Sequence, residues 1–111
     1  MSKSSTTIDD TIRIDRVTTS PGDMLREEFL GPHNLSANAL ALALRVPANR
    51  ITAILKNERA VTADTALRLG RYFGTSARFW LNLQQSYDLS LARKSLAEKI
   101  EREVDPRWVA A

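Results

Sequence analysis

Cysteine is absent from this chain of 111 residues, and histidine occurs once, as His33. Without thiols the chain can form no disulfide, no thiolate zinc site and no cysteine-based active site. A Ser/His/Asp grouping around this lone histidine is not credible, and the four glycines form no glycine-rich phosphate loop. We therefore expect no enzyme activity, no metal site and no cofactor.

Long apolar segments are also missing. The longest apolar run, Ala39 to Leu44, is far shorter than the roughly 20 residues needed to cross a bilayer. Behind Met1 and Lys3 the chain continues in Ser, Thr and Asp, which does not resemble a signal peptide. The expected protein is cytoplasmic, without a membrane partner or a small-molecule substrate, and its length is typical of one domain.

The net charge of +3 is small, but it is unevenly distributed. Residues 36–60 carry four basic side chains, Arg45, Arg50, Lys56 and Arg59, against the single acid Glu58. A local basic patch is typical of proteins that bind polyanions. Four bases in such a window also occur on ordinary solvated surfaces, so charge alone does not decide between the two.

The chain divides into three predicted parts. Residues 1–19 are expected to form a flexible extension, with Ile12 and Ile14 alternating in a possible short strand. Residues 20–88 carry the signals of a helical domain, and residues 89–111 those of a charged C-terminal helix and tail.

Helix punctuation predicts an all-α fold. Five short helices are expected, followed by a polar sixth that could continue the fifth. Their predicted starts are Ser20 with Pro21 behind it, Ser36, Pro47 at a first helical position, Thr62 and Ser76. Asn57 and Gly74 are predicted left-handed stops of the third and fourth helices.

Residues 37–56 have the spacing of a helix-turn-helix, in which two short helices are joined by a turn of about three residues. In this motif the second helix enters the major groove of DNA. The small Ala41 is expected where the helices touch, Val46 in the turn and Ile51 facing the first helix. The complete packing set is Leu40, Ala41, Leu44, Val46, Ile51 and Ile54.

The second helix of this pair presents short side chains outward. Asn49 and Arg50 can form bidentate pairs with adenine and guanine, and Thr52 and Ala53 can touch a thymine methyl group. The predicted base-reading set is Ala48, Asn49, Arg50, Thr52 and Ala53. The residues expected to contact DNA phosphates are Ser36, Asn38, Arg45, Lys56, Asn57 and Arg59.

Several segments resemble the HigA-type antitoxins, a branch of the XRE, lambda-repressor-like, helix-turn-helix proteins. The resemblance covers about residues 20–95. Its segments are Leu35 to Ala41, Val46 to Ile51, Thr62 to Leu69, Tyr72 to Ser76 and Phe79 to Gln84. It implies a five-helix lambda-repressor-like domain, extended here by an additional C-terminal helix and a short N-terminal segment.

What the resemblance implies about function is a homodimeric antitoxin that binds double-stranded operator DNA and represses its own operon. Its expected protein partner is a RelE-like, mRNA-cleaving toxin. Many relatives carry glycine where this chain has Arg45 and Asn57. Asn tolerates a left-handed backbone, whereas Arg does so at a cost of about 1 kcal/mol, so a locally altered turn is expected at Arg45.

The dimer candidates are Phe79, Trp80, Leu83 and Tyr87, a stripe at helical spacing that is more often part of a core. Toxin contacts could involve the N-terminus, the Ile12/Ile14 strand or the charged C-terminal helix. Two other functions remain open: a transcriptional regulator of the same family without a toxin, and an interaction module that has lost DNA binding.

Overall fold

Five helices make up the regular structure of residues 17–108, which are the residues that a computed structural model describes. Helix α1 begins as an α-helix and continues in π-helical geometry, and no strand occurs between residues 17 and 108. The elements are α1 with its α-helical turn Pro21–Met24 and π-helical segment Leu25–Leu30, α2 Ala37–Leu44, α3 Ala48–Leu55, α4 Ala63–Phe73 and α5 Ala77–Glu103. The predicted all-α class is confirmed, and the predicted strand at Ile12 and Ile14 lies outside the described residues.

Helix α5 replaces two predicted helices by one. It runs for 27 residues, so the predicted additional C-terminal helix is its continuation. The physical reason is that neither glycine nor proline interrupts the chain between Ala77 and Glu103. The chain forms two compact units, one of residues 18–87 and one that includes residues 88–108, and α5 contributes to both.

Serine side chains fix the start of three helices. The hydroxyl oxygens of Ser20, Ser36 and Ser76 each accept a hydrogen bond of 3.0 Å from the backbone N–H three residues later. These bonds satisfy N–H groups that have no partner within the helix. Thr62 also precedes its helix as predicted, but its side chain makes no cap hydrogen bond. Pro47 was predicted as the first residue of α3, but it is the residue that precedes this helix.

Left-handed residues end α2, α3 and α4. Asn57 has a φ of 61° and Gly74 a φ of 78°, as predicted. The prediction of an altered turn at Arg45 is wrong, because Arg45 keeps the left-handed conformation with φ 62°. The backbone N–H of Arg45 donates to Leu42 at 3.2 Å and that of Val46 to Ala41 at 3.0 Å. This Schellman pair satisfies the last carbonyl groups of α2 and therefore holds the turn.

The core of residues 18–87 lies between α1, the α2–α3 pair, α4 and the start of α5. Trp80 is fully buried at its centre, and its indole N–H donates to the Thr75 hydroxyl at 2.8 Å. The Phe29 ring lies 4.7 Å from Phe73 and 5.0 Å from Trp80. The buried apolar residues are Leu25, Leu30, Leu40, Ala41, Leu44, Ile51, Ile54, Val61, Ala66, Leu69 and Trp80.

Helix α1 touches the end of α3 backbone to backbone at Gly22. A Cβ atom on Gly22 would lie 2.2 Å from the Ile54 carbonyl oxygen and 2.8 Å from Oδ1 of Asn57. Both distances are shorter than side chains tolerate, so only glycine allows this approach. The contact therefore sets the separation of α1 and α3.

The substitution Gly22→Ala is expected to lower the free energy of unfolding by about 1–3 kcal/mol, because α1 must move away from α3. Urea denaturation of the two proteins measures this loss. Gln85→Ala is the control, since Gln85 is an exposed residue of α5, and this variant should unfold like the wild type. Equal stabilities of the Gly22→Ala variant and the wild type would contradict the close contact.

Candidate nucleic-acid interface

Helices α2 and α3 form the helix-turn-helix pair. From α2, the side chains of Leu40, Ala41 and Leu44 are buried against the core, and Ile51 and Ile54 are buried from α3. Val46, in the turn, is half-buried and packs on the same core. This packing leaves the opposite side of α3 free of contacts with the core.

The outward side of α3 carries short side chains. Ala48, Asn49 and Thr52 are exposed, whereas Ala53 is half-buried. The Thr52 hydroxyl donates a long hydrogen bond of 3.3 Å to the Asn49 carbonyl oxygen, while the Asn49 side chain remains at the surface. A helix with small, polar side chains on one face can approach base edges closely. Four of the five predicted base-reading residues thus lie on or beside one accessible face.

The side chain of Arg50, the fifth predicted base-reading residue, points toward α4. Its Nη1 atom lies 2.5 Å from Oδ2 of Asp64 on α4, and only 23% of its side chain is exposed. Arg50 precedes the buried Ile54 by four residues, so it projects from the flank of the helix nearest the core. The structure therefore does not bring Arg50 together with Asn49 and Thr52, and base reading by Arg50 is disfavoured.

The predicted phosphate contacts are all exposed, and they lie at the start of α2, in the turn between α2 and α3, and after α3. Ser36 caps α2, and Asn38 lies in its first turn, where backbone N–H groups favour anions. Arg45, Lys56 and Arg59 form no ion pair with any carboxylate of residues 17–108. The exposed set comprises Ser36, Asn38, Arg45, Lys56, Asn57 and Arg59.

The predicted dimer candidates lie along the first half of α5. Trp80 is wholly in the core, so its assignment to a dimer interface is corrected. Its ring packs against that of Phe29, with centroids 5.0 Å apart, so its apolar surface is buried within the core of this chain. Phe79 and Leu83 are half-buried and pack against the core, and Tyr87 is half-buried.

Asp64 forms a charged cluster that the sequence interpretation missed. Its second oxygen, Oδ1, accepts a hydrogen bond of 3.0 Å from Nε of Arg68. Nη1 of Arg68 in turn donates to the Leu44 carbonyl oxygen, at the end of α2, at 2.8 Å. The spacing of Asp64 and Arg68 by four residues could have indicated their pair. The link to Arg50, 14 residues away, has no such signal.

A similar arrangement holds the end of α3. Arg26 on α1 pairs with Asp23 at 3.0 Å and donates a hydrogen bond to the Leu55 carbonyl oxygen. Arginines therefore donate hydrogen bonds to the last carbonyl oxygens of both helices of the pair. Their positive charge is favourable there because this end of the helix dipole is negative.

Other sites are not evident in this part of the chain. Between residues 17 and 108 no group of three His, Asp or Glu side chains is placed to hold a metal ion. No helix within the same range is long and apolar enough to span a membrane.

Comparison with known proteins identifies similar chains. The sequence matches the helix-turn-helix family over residues 25–80. It is 57% identical to virulence-associated protein I of Dichelobacter nodosus over 67% of this chain and 68% of that protein. It is 45% identical to YbaQ, an uncharacterized helix-turn-helix-type transcriptional regulator of Escherichia coli K12, over 67% of this chain and 66% of that protein. The solved structure of the Pseudomonas aeruginosa antitoxin HigA with the higBA promoter aligns with TM-score 0.78 and 46% identity, covering 81% and 98%.

The Asp64 cluster predicts a dependence of stability on pH. Hydrogen bonds from Arg50 first, and from Arg68 second, lower the pKa of Asp64 below its usual value. The carboxylate therefore stabilises the fold fully above about pH 5, and this contribution is lost as the pH falls through the lowered pKa. Wild type should be more stable than the Asp64→Asn variant at pH 7, and the difference should shrink toward pH 3.

Urea unfolding at both pH values measures this difference. Glu28→Gln is the control, because Glu28 is an exposed acid on α1 without an ion pair among the described residues. A difference between wild type and Asp64→Asn that is as large at pH 3 as at pH 7 would exclude the charged contact as its source.

Proposed function

Because the chain belongs to the HigA-type branch of the XRE helix-turn-helix family, we propose that it is a DNA-binding antitoxin. In this proposal it binds operator DNA through α3, represses its own operon and neutralises a RelE-like, mRNA-cleaving toxin. The observation that carries the proposal is the exposed face of Ala48, Asn49 and Thr52 on a helix that is otherwise fixed to the core.

Base reading is assigned to this face of α3. Asn49 can form a bidentate pair with adenine, and the methyl groups of Thr52 and Ala53 can contact thymine. Each well-formed contact of this kind contributes about 1–3 kcal/mol of discrimination against the wrong base. Asn49 is therefore the residue whose loss should affect sequence choice most.

Phosphate binding is assigned to the charged and polar side chains around the face. Arg45 ends α2, and Lys56 and Arg59 follow α3, so that exposed cations precede and follow the reading helix in the chain. Such contacts position a protein on the duplex and make its affinity depend strongly on salt. They add affinity for any sequence and leave the choice of sequence to α3.

A homodimer is part of the proposal, because one recognition helix reads only half of a two-fold operator. Phe79, Leu83 and Tyr87 stay candidates for its interface, since each is half-buried. An operator-bound dimer would act in the cytoplasm, on the nucleoid. The RelE-like partner and the repression of its own operon rest on the family resemblance.

A transcriptional regulator without a toxin is the second candidate. It is supported by the 45% identity to YbaQ, which is named an uncharacterized helix-turn-helix-type transcriptional regulator. The two candidates share the DNA-binding surface and differ only in the protein partner.

The substitution Asn49→Ala is expected to weaken sequence-specific binding about tenfold or more, because it removes a base contact. The target duplex is the DNA upstream of the gene, and titration of a labelled duplex measures the dissociation constant. Gln85→Ala is the control, since Gln85 is an exposed amide on α5 whose helical spacing places it on the side away from Phe79, Leu83 and Tyr87. The control should bind like wild type.

Two outcomes would contradict this assignment. Unchanged affinity of the Asn49→Ala variant would show that α3 reads DNA by other side chains. Weak wild-type binding that does not change between about 50 and 200 mM salt would favour an interaction module that has lost DNA binding.

Co-expression with the product of the neighbouring gene tests the toxin. An antitoxin should restore growth to cells that express the toxin and should be captured with it in a pull-down. A reporter behind the upstream DNA should be repressed by wild type and less by the Asn49→Ala variant. Repression of the reporter without rescue or capture would favour the regulator.

A further inference from the structure

The orientation of α3 needs support from outside the helix. Its eight residues span about 12 Å, or two turns, and helices this short are not stable alone. Pro47 precedes it without a side-chain cap, so its first turn lacks the hydrogen bond that the serines give to α1, α2 and α5. Near its end, α3 is fixed by Gly22 and by the hydrogen bond from Arg26 to Leu55.

Near its start, the polar contact of α3 with another helix is the pair of Arg50 and Asp64. The carboxylate of Asp64 divides its two oxygens between α3 and α4. Oδ2 accepts from Arg50 at 2.5 Å, and Oδ1 accepts from Arg68 at 3.0 Å. Arg68 extends the connection to the Leu44 carbonyl oxygen at the end of α2. One carboxylate thus connects both helices of the pair through α4.

Arg50 depends on this carboxylate. Its side chain is 77% covered, and its Nε atom is buried without a hydrogen-bond partner. Burying part of a guanidinium is unfavourable unless an acceptor compensates it. Loss of the Asp64 charge would therefore weaken the contact that holds the first turn of α3 against α4.

We propose that Asp64 is a specificity-determining positioning residue. By holding Arg50 on α3 and Arg68 beside the end of α2, its carboxylate fixes the direction in which Asn49 and Thr52 face the bases. This role rests on the proposed function, because it concerns the DNA-reading face. It gives Arg50 a task in orienting the helix in place of base reading.

The substitution Asp64→Asn separates this role from a simple charge effect, because the two predict opposite results. Removal of an ordinary surface acid raises the affinity for every duplex, since DNA is a polyanion. Loss of a positioning contact lowers the affinity for the upstream duplex relative to a scrambled duplex. We expect this ratio of affinities to fall about tenfold.

The measurement is a titration of each duplex with wild type, Asp64→Asn and the control Glu28→Gln. The control removes an acid on α1 and should leave the ratio unchanged. A chain that is merely less stable loses affinity for both duplexes equally, so the ratio reports positioning alone. Thermal unfolding shows that the variants are folded at the assay temperature.

Asp64 is half-exposed, so the Asp64→Asn variant should fold. If it does not, Arg68→Gln tests the same connection, because it breaks the contacts with Asp64 and Leu44 while leaving Arg50 paired. It should also lower the ratio.

An unchanged ratio in the folded Asp64→Asn variant, or equally raised affinity for both duplexes, would overturn the proposal. A wild-type chain that binds both duplexes alike would overturn the proposed function and this role of Asp64 with it. The two failures are therefore distinguished by the wild-type titration.

Discussion

The position of α3 relative to the rest of the fold is the constraint on which the structure depends. This helix is too short to be stable alone, and its buried side chains, Ile51 and Ile54, fix which face points inward. They do not by themselves fix the direction of its axis. That direction is set at one end by Gly22 and Arg26 on α1, and at the other by Asp64 on α4. The helices around α3 thus act as a frame.

The same arrangement of an aspartate and an arginine occurs twice in this frame. An aspartate holds an arginine four or three residues further along its own helix, and the arginine donates to the last carbonyl oxygen of a helix of the pair. The charge of each arginine opposes the negative end of that helix. Since these pairs are exposed, each contributes little to stability. Their value lies in directing the helices, which matters more for reading DNA than for folding.

This frame explains how a surface of very small side chains could serve recognition. Ala48, Asn49 and Thr52 offer few contacts, so their discrimination depends on correct placement against the base edges. The exposed cations Arg45, Lys56 and Arg59 would hold the backbone of the duplex without selecting sequence. Affinity and specificity would therefore arise from different residues, and substitutions in the frame would change one without the other.

Local signals in the sequence determined the helices. Helix caps and left-handed stops depend on neighbours a few residues away, so they could be predicted at Ser20, Ser36 and Ser76 and at Asn57 and Gly74. The same holds for the spacing of Leu40, Ala41 and Ile51. Two features were decided only by the tertiary structure: the burial of Trp80 and the turning of Arg50 toward Asp64. Arg45 and α5 result from competing local signals, whose balance the folded chain settles. The burial of Trp80 and the direction of the Arg50 side chain depend on residues that are distant in the sequence. The periodicity of one helix does not show which distant residues will lie beside it in the fold.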